Sequence, residues 1–250
     1  MRAFSVSWVF TFALCLLPFD FCLPSWAQAQ AQPASDDYGG MAAAVVQLLA
    51  IGPGQDDKNR ACSATGFFVN EEGYILTNAH VVEDARRCLA GSPEAKIVAK
   101  LARPDAHAAT AVSCEVVALD EEHDLALLKT ERPPPEGEIY PVAPLDDREV
   151  GAGDEIRVLG HPEFSWQAKQ VSGRIVRVVR PPPAEAGTET LVFDIHLEIG
   201  SSGSPVYLPS GGVVGVVVGR DVRNASHSVA VAIRHAIALL ERHGVRWHRQ

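Results

Sequence analysis

Apolar and β-branched residues recur along this chain in short runs that glycine, proline and charged residues separate. Runs of about four to eight such residues, ended by turn residues, are typical of β-strands. They lie at residues 66–69, 73–76, 125–128, 191–197 and 213–218, and residues 155–180 are strand-like with an interruption at 160–167. The pattern predicts an all-β protein with strands in both halves of the chain.

Two of these runs form a predicted hairpin. Residues 66–69 and 73–76 flank a polar turn, Asn-Glu-Glu-Gly, at residues 70–73. Two further strands are predicted between residues 96 and 129, with the alanine-rich residues 102–111 as the loop between them. Near the C-terminus, residues 230–243 carry apolar side chains at helical spacing and precede a glycine, which predicts a helix.

The N-terminal segment has the composition of a secretory signal. Residues 1–27 contain one early arginine, an apolar stretch and small residues before a Gln/Ala run. Pro18 and Asp20 cut the apolar stretch short of the about 20 residues that a membrane span requires, which argues against a stable membrane anchor. Residues 28–40 are polar and predict a disordered leader. We therefore expect an exported protein, periplasmic or secreted.

Charge and composition narrow the possible partners. The formal net charge is −9 at pH 7, and an acidic surface argues against a nucleic-acid partner.

Consecutive prolines stiffen the chain and cannot donate ladder hydrogen bonds, so the segment 133–148 is predicted to link two strand-rich halves. The sequence has no metal-ligand spacing, phosphate-binding loop or internal repeat, so neither a metal nor a cofactor is expected.

The candidate centre of the chemistry is a turn of small residues at positions 199–206, Ile-Gly-Ser-Ser-Gly-Ser-Pro-Val. Glycines on both sides of a serine pair let the backbone bend so that a hydroxyl and N–H groups face one point. A nucleophilic serine also needs a histidine to take its proton and a carboxylate to orient that histidine. His80, Asp124 and Ser202 supply these groups in that order. An isolated Ser/Gly-rich turn without chemistry is the alternative.

Neighbouring residues compete for two of these roles. Ser201 and Ser204 are rival nucleophiles, and Ser202 is preferred because it is the serine of a Gly-x-Ser-Gly pattern. Asp124 is preferred as the acid because it alone begins an apolar strand, where burial would hold its carboxylate against an imidazole N–H. The rival acids, which suit a solvated turn, are Asp120, Glu121 and Glu122.

Four blocks of sequence resemble the trypsin-like serine endopeptidases, and among them the bacterial branch that contains HtrA-type proteases and glutamyl endopeptidases. These are a histidine block at residues 65–82, an aspartate block at 124–129, a strand pair at 159–176 and a serine block at 200–216. The resemblance extends from about residue 44 to the predicted C-terminal helix.

The resemblance implies an all-β fold of two six-stranded antiparallel β-barrels with a C-terminal α-helix. The barrel with the histidine and aspartate would cover residues 41–132, the barrel with the serine 149–229, and the helix and tail 230–250. Residues 44–49 would form the first strand, although the alanines of the segment 41–51 also suit a short helix. HtrA relatives usually carry a PDZ domain after the barrels, and we expect none here.

The implied activity is hydrolysis of peptide bonds in polypeptide substrates. Ser202 would attack the scissile carbonyl, His80 would carry its proton to the leaving amine, and Asp124 would orient the imidazole. The backbone N–H groups of Gly200 and Ser202 would form the oxyanion hole. Ser201 stands where digestive relatives have an aspartate that pairs with a new N-terminus, so activation by such an ion pair is not expected. The oligomeric state is left open.

The resemblance also suggests where the side chain of the cleaved residue binds. His196 falls where the family has the floor or wall of the primary specificity pocket, with packing as the equally weighted alternative. Val217 stands where glutamyl endopeptidases have a glutamate-binding histidine. With Val216 and Val218 beside it, this position predicts a pocket for small or medium apolar side chains.

Three cysteines follow the predicted signal: Cys62, Cys88 and Cys114. Export favours their oxidation, and an odd number leaves one unpaired or intermolecular. We favour a pair of Cys62 with Cys88, which would tether the segment after His80 to the strand before the histidine block, and the other pairings stay open. None lies in a nucleophile-like motif.

Two other functions remain open. A catalytically silent trypsin-like fold would act as a binding module, although all three triad residue types are present. An unrelated α/β esterase is less favoured, because the chain lacks a Gly-x-Ser-x-Gly elbow and its histidine precedes its serine.

Overall fold

The computed structural model describes residues 39–51, 63–88, 96–101, 110–134, 136–165, 167–182 and 187–250. The predicted signal at residues 1–27 lies outside these segments, as do residues 28–38 of the predicted leader. The last two leader residues, Gly39 and Gly40, belong to a helix.

The first half of the chain folds into a closed six-stranded antiparallel barrel. Its strands are β1 (Val45–Ile51), β2 (Ser63–Phe68), β3 (Tyr74–Thr77), β4 (Lys96–Leu101), β5 (Thr110–Asp120) and β6 (Leu125–Thr130). They follow the order β1-β2-β3-β6-β5-β4, and β4 pairs with β1 to close the sheet. Closure removes the unpaired strand edges. The predicted hairpin is confirmed, since β2 pairs with β3 across the polar turn.

Two short helices accompany this barrel. Helix α1 (Gly39–Ala44) leads directly into β1, and helix α2 (Ala79–Cys88) follows β3. Each interpretation of the segment 41–51 is therefore correct for one part of it. Its alanine-rich start is helical, and the β-branched residues that follow form the strand.

The second half of the chain forms another closed antiparallel barrel of six strands. These are β7 (Glu155–Gly160), β8 (Lys169–Val179), β9 (Thr190–Phe193), β10 (Pro205–Tyr207), β11 (Val213–Asp221) and β12 (Asn224–Ala232). Their order is β10-β11-β12-β9-β8-β7, closed by pairing of β10 with β7. A short 3-10 turn at Pro162–Phe164 lies in the predicted interruption between β7 and β8. The predicted fold of two six-stranded barrels is confirmed.

The C-terminal helix is also confirmed, with a later start than the apolar spacing predicted. Helix α3 covers Ile233–Arg242, whereas residues 230–232 belong to β12. Ala230 pairs with Val217 of β11 and with Leu191 of β9. Pairing with two neighbouring strands outweighs the local helical pattern at these residues. Among the described residues, no helix is both long and apolar enough to cross a membrane.

Among the described residues, buried apolar side chains form three clusters. The first-barrel core includes Val46, Leu48, Phe68, Ile75 and Leu128. The second-barrel core includes Ile156, Val158, Phe193, Val206 and Val214. The inter-barrel core joins both barrels to α3 and includes Val45, Leu127, Leu159, Val216, Ile237 and Leu240. Because burial of one such side chain contributes about 1.5–3 kcal/mol, the inter-barrel core holds the two halves in a defined orientation.

Candidate active site

The three residues predicted for catalysis come together beside a cleft between the two barrels. His80 lies in the first turn of α2, Asp124 directly precedes β6, and Ser202 lies in the turn before β10. His80, Gly200 and Ser202 line the same cavity of about 240 Å³, which we call the cleft. Asp124 does not line the cleft but contacts the imidazole ring of His80 at Nδ1.

Asp124 holds His80 through two hydrogen bonds. Its Oδ2 lies 2.7 Å from His80 Nδ1, and its Oδ1 accepts the backbone N–H of the same histidine at 2.9 Å. With one carboxylate oxygen on the backbone and the other on the ring, the imidazole is fixed in orientation. Because Asp124 accepts at Nδ1, the proton sits on Nδ1 in the neutral ring, and Nε2 is left as the base.

The backbone conformation of Asp124 is unusual. Its φ is +50°, a left-handed value that non-glycine residues adopt at a cost of about 1–2 kcal/mol. Asn78 Nδ2 donates to Asp124 O at 3.0 Å and so helps to hold the turn that carries this residue. Strained residues of this kind are concentrated at functional sites, because the surrounding structure must retain them.

The environment of His80 raises its pKa. Burial alone would lower the pKa, but the hydrogen bond to Asp124 and the charges of Asp124, Asp84 and Glu83 favour the protonated ring more strongly. The ring therefore accepts a proton more readily than an ordinary histidine, as a general base should.

The rival acids lie elsewhere. Asp120 is buried, and its carboxylate bonds to His123 and Arg242. Glu121 and Glu122 are exposed at the surface turn. Of the four acidic residues considered, Asp124 is the one whose carboxylate contacts His80.

The serine turn has a backbone that only glycine adopts readily. Gly200 has φ of +95° and Gly203 has φ of +82°. A Cβ on Gly200 would lie 2.6 Å from His161 O, and one on Gly203 would lie 2.0 Å from Thr65 O. Both glycines are therefore required by the tight fit of this turn against the rest of the protein.

Three N–H groups of the turn, those of Ile199, Gly200 and Ser202, have no acceptor within the described parts of the chain, whereas Ser201 N donates to Glu198 O at 3.2 Å. Gly200 and Ser202 are the two of these that the sequence predicted for the oxyanion hole. Two free donors, two residues apart beside a half-buried serine, suit the binding of a carbonyl oxygen that gains negative charge.

Ser202 is the serine of the three that suits the nucleophile role. Its side chain is half-buried and lines the cleft, and its Oγ donates to Val218 O at 3.2 Å. It does not bond to His80 in this structure. Ser201 is 5% exposed, and Ser204 is fully buried with its Oγ facing Gly160.

Residues of the predicted specificity pocket are divided. Val217 lines the cleft, with Leu197, Ile199 and Gly219 nearby in the same lining. The cleft lining includes neither His196 nor Val218. His196 Nδ1 lies 2.8 Å from Ala225 O, and its Nε2 lies 3.4 Å from Glu198 Oε1. Val218 packs against the inter-barrel core.

Some residues with a part in the site received no role from the sequence. Thr65 bonds to the serine turn, and Asn78 bonds to Asp124. Val218, which the sequence placed in the specificity pocket, instead accepts a hydrogen bond from the Ser202 hydroxyl through its backbone carbonyl. A threonine within an apolar strand is a signal that could have indicated Thr65. A backbone acceptor such as Val218 O leaves no sequence signal.

The cysteine prediction is tested only in part by the described residues. Cys62 lies outside them, so the pairing of Cys62 with Cys88 does too. Cys114 is a free, buried thiol whose pKa burial raises to about 11. Within the described segments, no group of three or more His, Cys, Asp or Glu side chains is placed to hold a metal ion.

The chain is similar in sequence to known proteins. Residues 64–216 match the family described as a trypsin-like peptidase domain. A probable periplasmic serine endoprotease, DegP-like, of Halomonas elongata is 28% identical over 160 residues, which cover 64% of this chain and 30% of that protein. Its counterpart in Pseudomonas putida strain GB-1 is 29% identical over 154 residues, covering 61% of this chain and 28% of that protein. The chain thus matches less than a third of the length of these relatives.

Solved structures share the fold. Deg5 has a TM-score of 0.65 at 22% identity, covering 84% of this chain and 94% of its own. The active form of the Rv3671c protease from M. tuberculosis has a TM-score of 0.64 at 22% identity, covering 88% of this chain and 90% of its own. The matched family region spans more than half of the chain and contains His80, Asp124 and Ser202, so this protein belongs to the trypsin-like peptidase family.

Proposed function

We propose that this protein is an exported serine endopeptidase that hydrolyses peptide bonds through Ser202, His80 and Asp124. The observation that carries the proposal is the 2.7 Å contact of Asp124 with His80 Nδ1, behind a cleft that His80 shares with Ser202. This contact leaves Nε2 of the ring as a base for the serine hydroxyl. The naming of its relatives as serine endoproteases supports the same activity.

The reaction requires one rotation before chemistry. The Ser202 hydroxyl turns from Val218 O towards His80 Nε2. Its oxygen then bonds to the scissile carbonyl carbon as its proton passes to Nε2, and the oxyanion accepts the N–H groups of Gly200 and Ser202. His80 returns the proton to the leaving amine as the C–N bond breaks. Water, deprotonated by the same histidine, then attacks the acyl carbon, and His80 returns the proton to Ser202 Oγ as the acyl–oxygen bond breaks and the carboxylic acid product leaves.

A binding module without catalysis is the second candidate. The observation that favours it is the bond of Ser202 Oγ to Val218 O in place of a bond to His80. A hydroxyl locked in this orientation would not be activated, although the His80–Asp124 pair would be unchanged.

Labelling with a fluorophosphonate, measured by intact mass, separates the two candidates. The wild-type protein should gain one adduct, and Ser202→Ala and His80→Ala should gain none. The matched control is Ser172→Ala, which removes an exposed serine hydroxyl of β8 and should leave labelling unchanged. A folded wild type that gains no adduct contradicts the proposal and favours the binding module.

We propose that the substrate side chain preceding the cleaved bond is small or medium and apolar. The apolar lining by Leu197, Ile199 and Val217 supports this preference. Arg220 also lines the cleft, but its guanidinium already donates to Leu197 O at 3.1 Å and lies 3.5 Å from Glu198. A peptide library should show cleavage after Ala, Val or Leu, and cleavage mainly after Glu or Arg contradicts this preference.

We also propose that residues 1–27 direct export to the periplasm and are removed. The naming of the relatives as periplasmic supports this destination. Oxidation there would join Cys62 to Cys88, which agrees with the disulfide-bonded state of Cys88 and the free state of Cys114. The intact mass of the exported protein tests whether residues 1–27 are removed. The change in that mass on alkylation without reductant tests whether Cys62 and Cys88 are joined.

A further inference from the structure

Thr65 is a polar residue of β2 (Ser63–Phe68), and its side chain is fully buried. Buried hydroxyl groups are retained when they are hydrogen-bonded, because an unpaired one costs stability. The partners of the Thr65 hydroxyl, Gly200 and His161, belong to the second barrel, although the residue itself belongs to the first.

Thr65 bonds to the serine turn at two points. Its Oγ1 donates to Gly200 O at 2.9 Å, and its backbone N–H donates to Ser202 O at 2.9 Å. The same Oγ1 accepts the backbone N–H of His161 at 3.0 Å. A hydroxyl can donate and accept at once, so one side chain connects the serine turn to the start of the neighbouring 3-10 turn.

The carbonyl groups before and after the Gly200 N–H, those of Ile199 and Gly200, both accept hydrogen bonds. Glu163 N donates to Ile199 O at 2.7 Å, and Thr65 Oγ1 holds Gly200 O. In a trans peptide the C=O and N–H point in opposite directions. Since Ile199 O faces Glu163, the N–H of Gly200 in the same peptide must point away from it, and the bond from Thr65 restrains the next peptide.

We propose that the Thr65 hydroxyl is a positioning group for the oxyanion-binding N–H of Gly200. It acts from the first barrel on the second, and the inference rests on the proposed function. Without the hydroxyl, the peptides around Gly200 lose a restraint, and glycine's conformational freedom lets them turn. Binding of substrate in the cleft does not require this bond, so the effect falls on the chemical step.

The test compares three threonine variants in the full-length protein. Thr65→Val keeps the shape and removes the hydroxyl, whereas Thr65→Ser keeps the hydroxyl. The matched control is Thr77→Val, because Thr77 is also fully buried and its hydroxyl donates to a backbone carbonyl, Thr65 O, at 2.8 Å. The readouts are the maximal rate and half-saturating concentration of fluorophosphonate labelling, and the thermal unfolding midpoint.

Thr65→Val should lower the maximal labelling rate about 10- to 100-fold, below the 10²–10³-fold loss typical when an oxyanion donor is removed. The half-saturating concentration and the pH dependence that His80 sets should not change. Thr65→Ser should restore the rate to within about threefold of wild type, and Thr77→Val should retain it.

A folded Thr65→Val protein that labels at the wild-type rate overturns the inference. If Thr65→Val does not fold, Thr65→Ala takes its place with the same criterion. Failure of both to fold, with Thr77→Val folded, also overturns it, because Thr65 would then serve stability alone. A wild type without any label contradicts the proposed function instead, so the two failures are distinguishable.

Discussion

The two barrels contribute to the cleft in different ways. The first barrel supplies two side chains, His80 and Asp124, that are bonded to each other. The second supplies the Ser202 hydroxyl and two free backbone N–H groups on a turn with two positive-φ glycines. Side chains that bond each other hold their own geometry, whereas free backbone donors depend on what restrains the surrounding peptides. The second half of the site therefore relies on bonds from outside the turn, including those of Thr65.

The largest effect should come from breaking the first barrel's contribution. Asp124→Asn replaces the acceptor at His80 Nδ1 with an amide that favours the wrong tautomer, so the labelling rate should fall about 10⁴-fold. The measurement is the rate constant of fluorophosphonate labelling. Glu121→Gln makes the same chemical change at an exposed residue of the same turn and should have no effect. A loss of less than tenfold in Asp124→Asn would contradict the assigned role.

A smaller effect should come from breaking the second barrel's contribution. Gly200→Ala puts a Cβ 2.6 Å from His161 O at a residue with φ of +95°, so the turn must shift and its N–H must move. We expect a labelling rate about 10²–10³-fold lower, the loss typical for one oxyanion donor.

Gly151→Ala is the control for Gly200→Ala. A Cβ on Gly151 would meet no atom within 4 Å, and its φ is not in the left-handed region. The control should keep both the labelling rate and the unfolding midpoint of wild type. Equal rates in the two alanine variants would show that the backbone at Gly200 is not critical.

The pKa values of His80, in the first barrel, and His161, in the second, should be shifted in opposite directions from the ordinary value. Asp124 keeps the pKa of His80 above the ordinary value of 6.5 despite burial. Burial, with a smaller contribution from Lys100, lowers the pKa of His161 although Ser165 O favours its protonated form. NMR titration of the two rings should place His80 above 6.5 and His161 below it. Reversal of this order would contradict the comparison.

Two consequences follow for pH dependence. Labelling needs neutral His80, so its rate should fall as the pH drops through a midpoint above 6.5. Folding raises the pKa of His80, so the interaction of protonated His80 with Asp124 stabilises the folded protein. This stabilisation is fully present below the pKa of His80 in the unfolded chain, and it is lost as the pH rises through the pKa of His80 in the folded protein. The pKa of His161 is lowered by folding, so neutral His161 contributes to stability at high pH, and this contribution is lost as the pH falls through its pKa in the folded protein.

The smallest effect should be seen at the free thiol of the first barrel. Cys114 is buried and its pKa is raised to about 11, so almost no thiolate forms near neutral pH. Iodoacetamide treatment of the native protein at neutral pH should leave Cys114 unmodified in peptide mapping, and Cys114→Ala should label as wild type does. Rapid alkylation of Cys114, together with slow fluorophosphonate labelling of Ser202, would contradict this prediction, because it would show a reactive nucleophile in the first barrel.

Much of the fold was predictable because its signals are local. The polar turn at residues 70–73 predicted the hairpin of β2 and β3, and the apolar residues after Asp124 predicted β6. The start of α3 was predicted too early, because residues 230–232 have neighbours in β9 and β11 that no local pattern reveals. The lining of the cleft by Val217, but not by His196, likewise depends on which way each side chain turns in the closed barrel.

The sequence by itself determined the strand periodicity, the order of His80, Asp124 and Ser202, and the glycines that allow the serine turn. Each of these depends on side-chain type and on neighbours within a few residues. Only the tertiary structure decided that the Thr65 hydroxyl meets Gly200, 135 positions away, and that Ser202 Oγ meets Val218 O. Such bonds arise when closed barrels pack on a shared core, and they depend on backbone direction, which residue type does not encode.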